Sequence, residues 1–252
     1  MTRQASQLTV AADTVGPTCL LTISGVLDSS TYLELRNSVI KAALDEPQAV
    51  LVDVSAVEVS ASSAWSVFTS ARWHVSTWPD VPIILVCGHT QGRQAIARNG
   101  VARYVPVYPT VDIALRRAAE HSRRGRRRIR AELPASPKSL RRARDLVAEV
   151  LAEWSQAKLI PVATVIVNVF VENVLEHTTS APMLRLETNG NTVTVAVEDG
   201  SSIPAVRHED RFRGGERVSG LAIVAALCRA WGNTPTPSGK TVWAVVGPEN
   251  HL

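Results

Sequence analysis

The chain has 252 residues, 45% hydrophobic and 20% charged, with 14 Gly and 14 Pro, a balance that excludes a disordered, collagen-like or lipid-spanning chain. Its length predicts two domains, each large enough to bury its own core. The formal net charge of +4 is unevenly placed: between Arg116 and Arg144 twelve Lys and Arg stand against Glu120 and Glu132, and the remainder is net acidic. Charge confined to one short stretch is not the signature of a general nucleic-acid binder. No apolar run reaches the ~18 residues of a membrane helix, and the polar start from Met1 to Val10 lacks the order of an export signal, so a cytoplasmic protein is expected. Cys19, Cys87 and Cys228 have neither metal-ligand spacing nor an even count and read as small buried apolar residues.

From Cys19 onward, short β-rich runs alternate with amphipathic stretches, the pattern of an α/β layer fold. Cys19 to Ser24 reads as a strand. Asp28-Ser-Ser-Thr31 offers caps to a helix carrying Leu33, Val39, Ile40, Ala43 and Leu44, with Pro47 past its end. Ala49 to Asp53 and Val81 to Val86 read as strands buried on both faces, with a helix between them. Gln91 to Asn99, Val105 to Val107 and Val111 to Glu120 repeat the unit. Leu51 to Trp65 is the informative stretch: a strand, a polar turn, and the pair Ser62-Ser63 opening the next helix.

These residues resemble the STAS domain of bacterial anti-sigma-factor antagonists, over roughly residues 8 to 120. Val26-Leu27-Asp28 is similar to that family's Gly-Glu-Leu-Asp strand end. Ser62 falls on the family's phosphorylated serine and Ser63 on its neighbour; Ala61 stands where the family has Asp, and Ala64 where it has Gly. Independently of the family, a phosphate on a serine in a first helical turn meets unpaired N–H groups and adds ~−1.5 to −2 charge to a surface that a partner must cover. Helix capping is the competing role for both serines.

Arg123 to Pro137, with its arginine block and two prolines, is expected to be a linker between a domain at residues 1–122 and another at 138–252. No aromatic residue interleaves these arginines, so base stacking is missing and a nucleic-acid role is the weakest reading. Beyond it, Leu140, Ala143, Leu146, Val147, Val150, Leu151 and Trp154 recur at helical spacing, and Val162 to His177 supplies a second helix. Met183 to Thr188 and Val193 to Val197 read as hairpin strands joined by Asn189-Gly190-Asn191, with one covered and one solvent face. Ser219 to Trp231 reads as helix and Lys240 to Val246 as the last strand.

Three stretches here, Asn173 to His177, Val195 to Pro204, and Ser219 to Val224 with Gly239-Lys-Thr-Val-Trp243, resemble the anti-sigma-factor serine kinases of the histidine-kinase-like ATPase superfamily. The fold implied is a STAS-like mixed sheet with helices followed by a histidine-kinase-like ATPase α/β sandwich. The resemblance implies ATP or ADP with Mg, the ion on Asn173 and the adenine amine on Asp199. His177, Gly200, Gly214, Gly215, Gly220, Leu221 and Thr241 would complete the nucleotide site. Two departures weaken phosphotransfer: Val169 stands where the family has its Glu base, and Val218 replaces a lid Gly. The expected function is a partner-switching regulator of sigma-factor-dependent transcription. Its partners would be anti-sigma factors, antagonists or sigma factors, with an intramolecular domain contact and, by family analogy, a homodimer. A working serine kinase and a non-nucleotide docking scaffold stay open as alternatives.

Overall fold

Alternation along the first strands decides where the helices of the N-terminal half go. In the computed structural model, which describes residues 7–123, 126–203, 220–236 and 238–250, the chain divides into two units, Met1–Arg124 and Gly125–Leu252. The first holds β1 (Leu8–Val15), β2 (Thr18–Leu27), α1 (Tyr32–Leu44), β3 (Val50–Val59), α2 (Ser66–His74), β4 (Ile83–Val86), α3 (Thr90–Arg98), β5 (Val107–Tyr108) and α4 (Val111–Arg123). Its sheet runs β1-β2-β3-β4-β5. β1 is antiparallel to β2, and β2 to β5 are mutually parallel. Val50, Val52, Val54, Ile83 and Leu85 point into one core with Leu35, Val39, Phe68 and Ile96 of α1, α2 and α3. The intervening Leu51, Ile84 and Val86 meet Ala114 and Ala118 of α4 on the other face. Strands covered on both sides read as unbroken apolar runs, which is why β3 and β4 stand out in the sequence.

The second unit holds β6 (Arg127–Glu132), α5 (Lys138–Glu153), α6 (Ile160–His177), β7 (Met183–Thr188), β8 (Val193–Asp199), α7 (Gly220–Leu227), β9 (Ala230–Thr236) and β10 (Gly239–Val246). Its sheet runs β6-β7-β8-β10-β9, antiparallel throughout. Leu184, Leu186, Val193, Val195, Val197, Val242, Ala244 and Val246 form one core with α5, α6 and α7. The expected mixed α/β architecture with a second sheet domain is therefore present.

Four local expectations are corrected. The Arg-rich stretch expected to be a linker contains β6, and its Arg128, with Arg126 just before the strand, reaches Glu187 on β7; the cations fit here because the Glu187 carboxylate lies opposite Arg128. The expected helix to Trp231 ends at Leu227, and Ala230–Thr236 pairs with β10 instead, as a Trp-Gly-Asn-Thr-Pro run with poor helix propensity favours. The face of β7 expected in solvent is closed, with Arg185 5% and Glu187 7% exposed. Finally, Ala157–His177, with mean hydropathy 1.7, is long and apolar enough to cross a bilayer, although polar residues interrupt it. Half of its most apolar window is buried, and α6 packs on α5, α7, β8 and β10. The basis is clear from its pattern: it is apolar nearly all round because it is a core helix.

Candidate functional site

Each unit brings one group of the sequence-selected residues to a sheet end. In the first, β2 and β3 run side by side to Leu27 and Val59, so the two loops that follow leave the same edge together. Asp28 Oδ1 accepts from the backbone N of Ser30 (2.8 Å) and of Thr31 (3.3 Å) and from the Ser30 hydroxyl (2.6 Å). Thr31 Oγ1 donates to the Val26 carbonyl at 2.9 Å. The Ser60 amide in turn donates to the Leu27 carbonyl at 3.3 Å, tying the second loop to the first.

Ser62 and Ser63 open a 3-10 turn, Ser62–Trp65, ahead of α2. The Ala64 amide closes it on the Ala61 carbonyl at 2.9 Å, and buried Ala64 and Trp65 anchor it, with Trp65 6.1 Å from the Phe68 ring. Both serines are exposed. Neither is the N-cap of the turn or of α2; those positions are Ala61 and Trp65, without side-chain caps. The capping role is thus absent, and the two hydroxyls project from an apolar anchor.

Around the turn, α1 supplies polar reach that the sequence pattern did not reveal. Tyr32 Oη lies 3.4 Å from Ser66 Oγ. Arg36 donates from Nε to Ser70 Oγ at 3.0 Å, and its Nη2 lies 3.3 Å from His74 Nδ1; since a guanidinium only donates, Nδ1 is the acceptor. Leu33, 63% exposed, stands on the same helix. At the end of β4, His89 Nδ1 caps α3 by accepting from Gly92 N at 3.0 Å, which leaves Nε2 as the donor to the Ser55 carbonyl at 3.2 Å. Arg93 fastens the same loop by donating to the Cys87 and Gly88 carbonyls, each at 2.9 Å.

In the second unit, strand parity sorts the expected nucleotide residues. Asp199 continues the row Val193, Val195, Val197 on the helix-covered face of the sheet, and Lys240 continues the row Val242, Ala244, Val246. Across the β8–β10 pair these two residues are direct partners. Lys240 Nζ lies 3.0 Å from Asp199 Oδ1 and 2.9 Å from Oδ2, with the two side chains 10% and 4% exposed. The Ser201 amide also donates to Asp199 Oδ1, at 2.7 Å. Thr241, one residue on, belongs to the opposite face, across from Glu198 and Thr234, so it is not beside Asp199.

Asn173 is half-buried on α6, and His177 is exposed at that helix's end. One turn before Asn173, Val169 is buried and packs on Gly220: a Cβ added at Gly220 would lie 2.8 Å from Val169 Cγ1. Leu221 is buried beside it, and Gly200 is exposed, its amide donating to Ser180 Oγ at 3.0 Å. Gly214, Gly215 and Val218 lie outside the described residues. Two features of this group bear on Mg-ATP. The carboxylate expected to accept from adenine already accepts from Lys240 and Ser201, and a valine packed on glycine occupies the position expected of a base.

Sequence reasoning missed Lys240, although it stands in the quoted Gly239-Lys240 pair; counting alternation back from Val246 would have placed it on the Asp199 side.

Comparison with known proteins follows the same division. Residues 9–114 match the STAS domain family. No curated protein matches the sequence. Among solved structures, an anti-sigma factor antagonist from Mycobacterium paratuberculosis is 22% identical, with 45% of this chain and 95% of that one aligned and a TM-score of 0.40. The antagonist SpoIIAA in its unphosphorylated form is 14% identical over 44% and 97%, TM-score 0.37. The RsbU and RsbW domains of a Mycobacterium tuberculosis protein are 20% identical over 48% and 32%, TM-score 0.37. On the family match, the N-terminal unit of this chain carries a STAS domain.

Proposed function

We propose that the chain is a cytoplasmic partner-switching regulator of sigma-factor-dependent transcription. Its STAS unit docks an anti-sigma factor through the Ser62 turn, and its C-terminal unit is a kinase-like fold used for docking rather than phosphotransfer. The observation that carries the reading is the pair of exposed serine hydroxyls on a turn pinned by Trp65. A rigid anchor with projecting hydroxyls suits an interface that one phosphate can break, because added negative charge must be desolvated on complex formation. Val169, buried against Gly220, supports the loss of phosphotransfer, since an apolar side chain stands where the resemblance implies the base. Mg bound through Asn173 together with ATP or ADP remains the competing proposal for the second unit, and with it a serine kinase.

The test is surface plasmon resonance of the full chain against purified anti-sigma factors, comparing wild type with Ser62→Ala and Ser62→Glu. Binding that survives Ser62→Ala and falls at least about tenfold, ~1.4 kcal/mol, with Ser62→Glu is expected. Binding insensitive to both changes removes the turn from the interface, and absence of binding to every anti-sigma factor removes the reading. Incubation with γ-labelled ATP is expected to leave no label on the chain or on a separate antagonist.

A further inference from the structure

We propose that the outward face of α2, beyond the Ser62 turn, docks an acidic amphipathic helix of a protein partner, with the Trp73–Tyr104 ring pair as its apolar anchor and Arg36 as its cation. Trp73 is 62% and Tyr104 52% exposed, and their rings lie 5.7 Å apart, tilted by 50°. Exposed apolar residues scattered singly are ordinary, but two large rings in contact, each more than half open, make one contiguous patch. Trp, Tyr and Arg are also the residue types in which interface binding energy concentrates.

Helical spacing decides what surrounds the pair. Ser66, Ser70 and Trp73 share one side of α2, while Val67, Phe68 and Ala71 are buried on the other. The small Ser66 and Ser70 let a partner helix lie close along the seam with α1 and end on Trp73. On the α1 side Arg36 donates to neutral acceptors alone: Ser70 Oγ at 3.0 Å, Asn37 Oδ1 at 3.3 Å and His74 Nδ1 at 3.3 Å. Among the described residues no carboxylate pairs with it. α2 contains no acidic residue, and neither does the stretch from Val101 to Tyr104, where Arg103 is exposed. Asp80, which follows α2, is taken by Arg72 at 2.7 Å, and Glu34 on α1 lies ~200° round the helix from Arg36. The face thus sets an uncompensated positive charge beside apolar rings, and its complement is a helix with a carboxylate one turn from a large apolar side chain. Rings tilted against each other leave no parallel slot for a nucleobase, which favours a protein over a single-stranded nucleic acid.

The test is fluorescence anisotropy of labelled peptides of about 18 residues, long enough to hold a helix, titrated with the full chain. One peptide carries Leu along one helical face and Glu on its flanks; a second has Lys in place of Glu, and a third has Ser in place of Leu. The Glu and Leu peptide is expected to bind wild type at about 10–100 μM and the other two at least about tenfold more weakly. Trp73→Ser and Arg36→Gln are each expected to lower its affinity at least about fivefold. Ile203→Ser, at an exposed residue of the other unit, should leave it unchanged. Tyr104→Ala reaches the ring pair from its second member should Trp73→Ser not fold.

The acidic and basic peptides binding equally, no binding of the acidic one up to about 1 mM, or binding that survives loss of either ring would overturn the proposal. Two other occupants would overturn it as well: self-association in sedimentation equilibrium, or binding of a labelled oligothymidine, lost in the ring variants and not competed by the acidic peptide. The peptides contain no anti-sigma factor, so their failure leaves the Ser62 reading standing, and failure of that reading leaves this one standing.

Discussion

Val169 and Gly220 touch so closely that a single methyl group at the glycine would come within 2.8 Å of Val169 Cγ1. The contact joins α6 to the start of α7 inside the second core, where Val169 is 8% exposed. Gly220→Ala is therefore expected to cost about 1–3 kcal/mol by overpacking. Val169→Ala in the same chain should recover part of that loss by making room. Urea denaturation of the two single variants and the double variant measures the coupling, and strictly additive costs would show that the contact does not constrain the helices. Val169→Glu should destabilise the unit without creating kinase activity, because it puts a carboxylate into an apolar contact.

Glu187 accepts from both Arg126 and Arg128, and through them fastens the edge strand β6 to β7. Its side chain is 10% exposed and those of the two arginines 17% and 25%. Glu187→Ala leaves two cations beside a vacated site and is expected to cost about 3–5 kcal/mol. Because burial limits screening, raising salt to about 1 M should leave most of the wild-type contribution intact. A loss below about 1 kcal/mol, abolished by salt, would mean that the ion pairs act as surface pairs do.

The two residues that set these predictions also mark the limits of reading the sequence. β4 and the first half of β3 were legible as short continuous apolar runs and α1 by its helical spacing, whereas Val54 to Val59, read as a polar turn, continues β3. β6 was not, since Arg127 to Glu132 shows its strand character only once Glu187 is known to lie opposite Arg128 on β7 and Glu198 of β8 to lie within reach of Arg130. The Ser62 turn was legible as a position, from serines after a buried strand, but its exposure depended on Trp65 taking the anchoring role. Lys240 was hidden by the opposite cause: a lone lysine in a strand ordinarily reads as solvent-facing, and only β8–β10 register reveals its carboxylate partner.

That register, which sets Lys240 directly across from Asp199, makes the mutual support of the two charges measurable. Lys240→Met leaves a buried carboxylate and Asp199→Leu a buried ammonium, each expected to cost about 3–5 kcal/mol. The double variant, which removes both charges, should be more stable than either single one, because much of each single cost is the uncompensated partner. Equilibrium denaturation of the set gives the interaction energy directly, and a double variant as unstable as the sum of the singles would show that the two charges do not support each other.

The thiols give a prediction in pH. Cys87 is fully buried and Cys19 and Cys228 are half-buried. Burial pushes all three thiols above their ordinary value; nearby Asp45 adds to this at Cys19, and the His89 backbone and Arg93 oppose it at Cys87. A thiol whose value is raised on folding favours the folded state fully below the unfolded value, about 8.5, and that contribution is lost as pH rises through the folded value. Under reducing conditions, stability is therefore expected to fall from pH 8 to about 10 more steeply in wild type than in Cys87→Ala. Melting temperatures of the two proteins across that range measure the difference. Parallel curves would show that the Cys87 thiol stays un-ionised in both states or ionises equally in both, and would remove burial of this side chain as a source of alkaline instability.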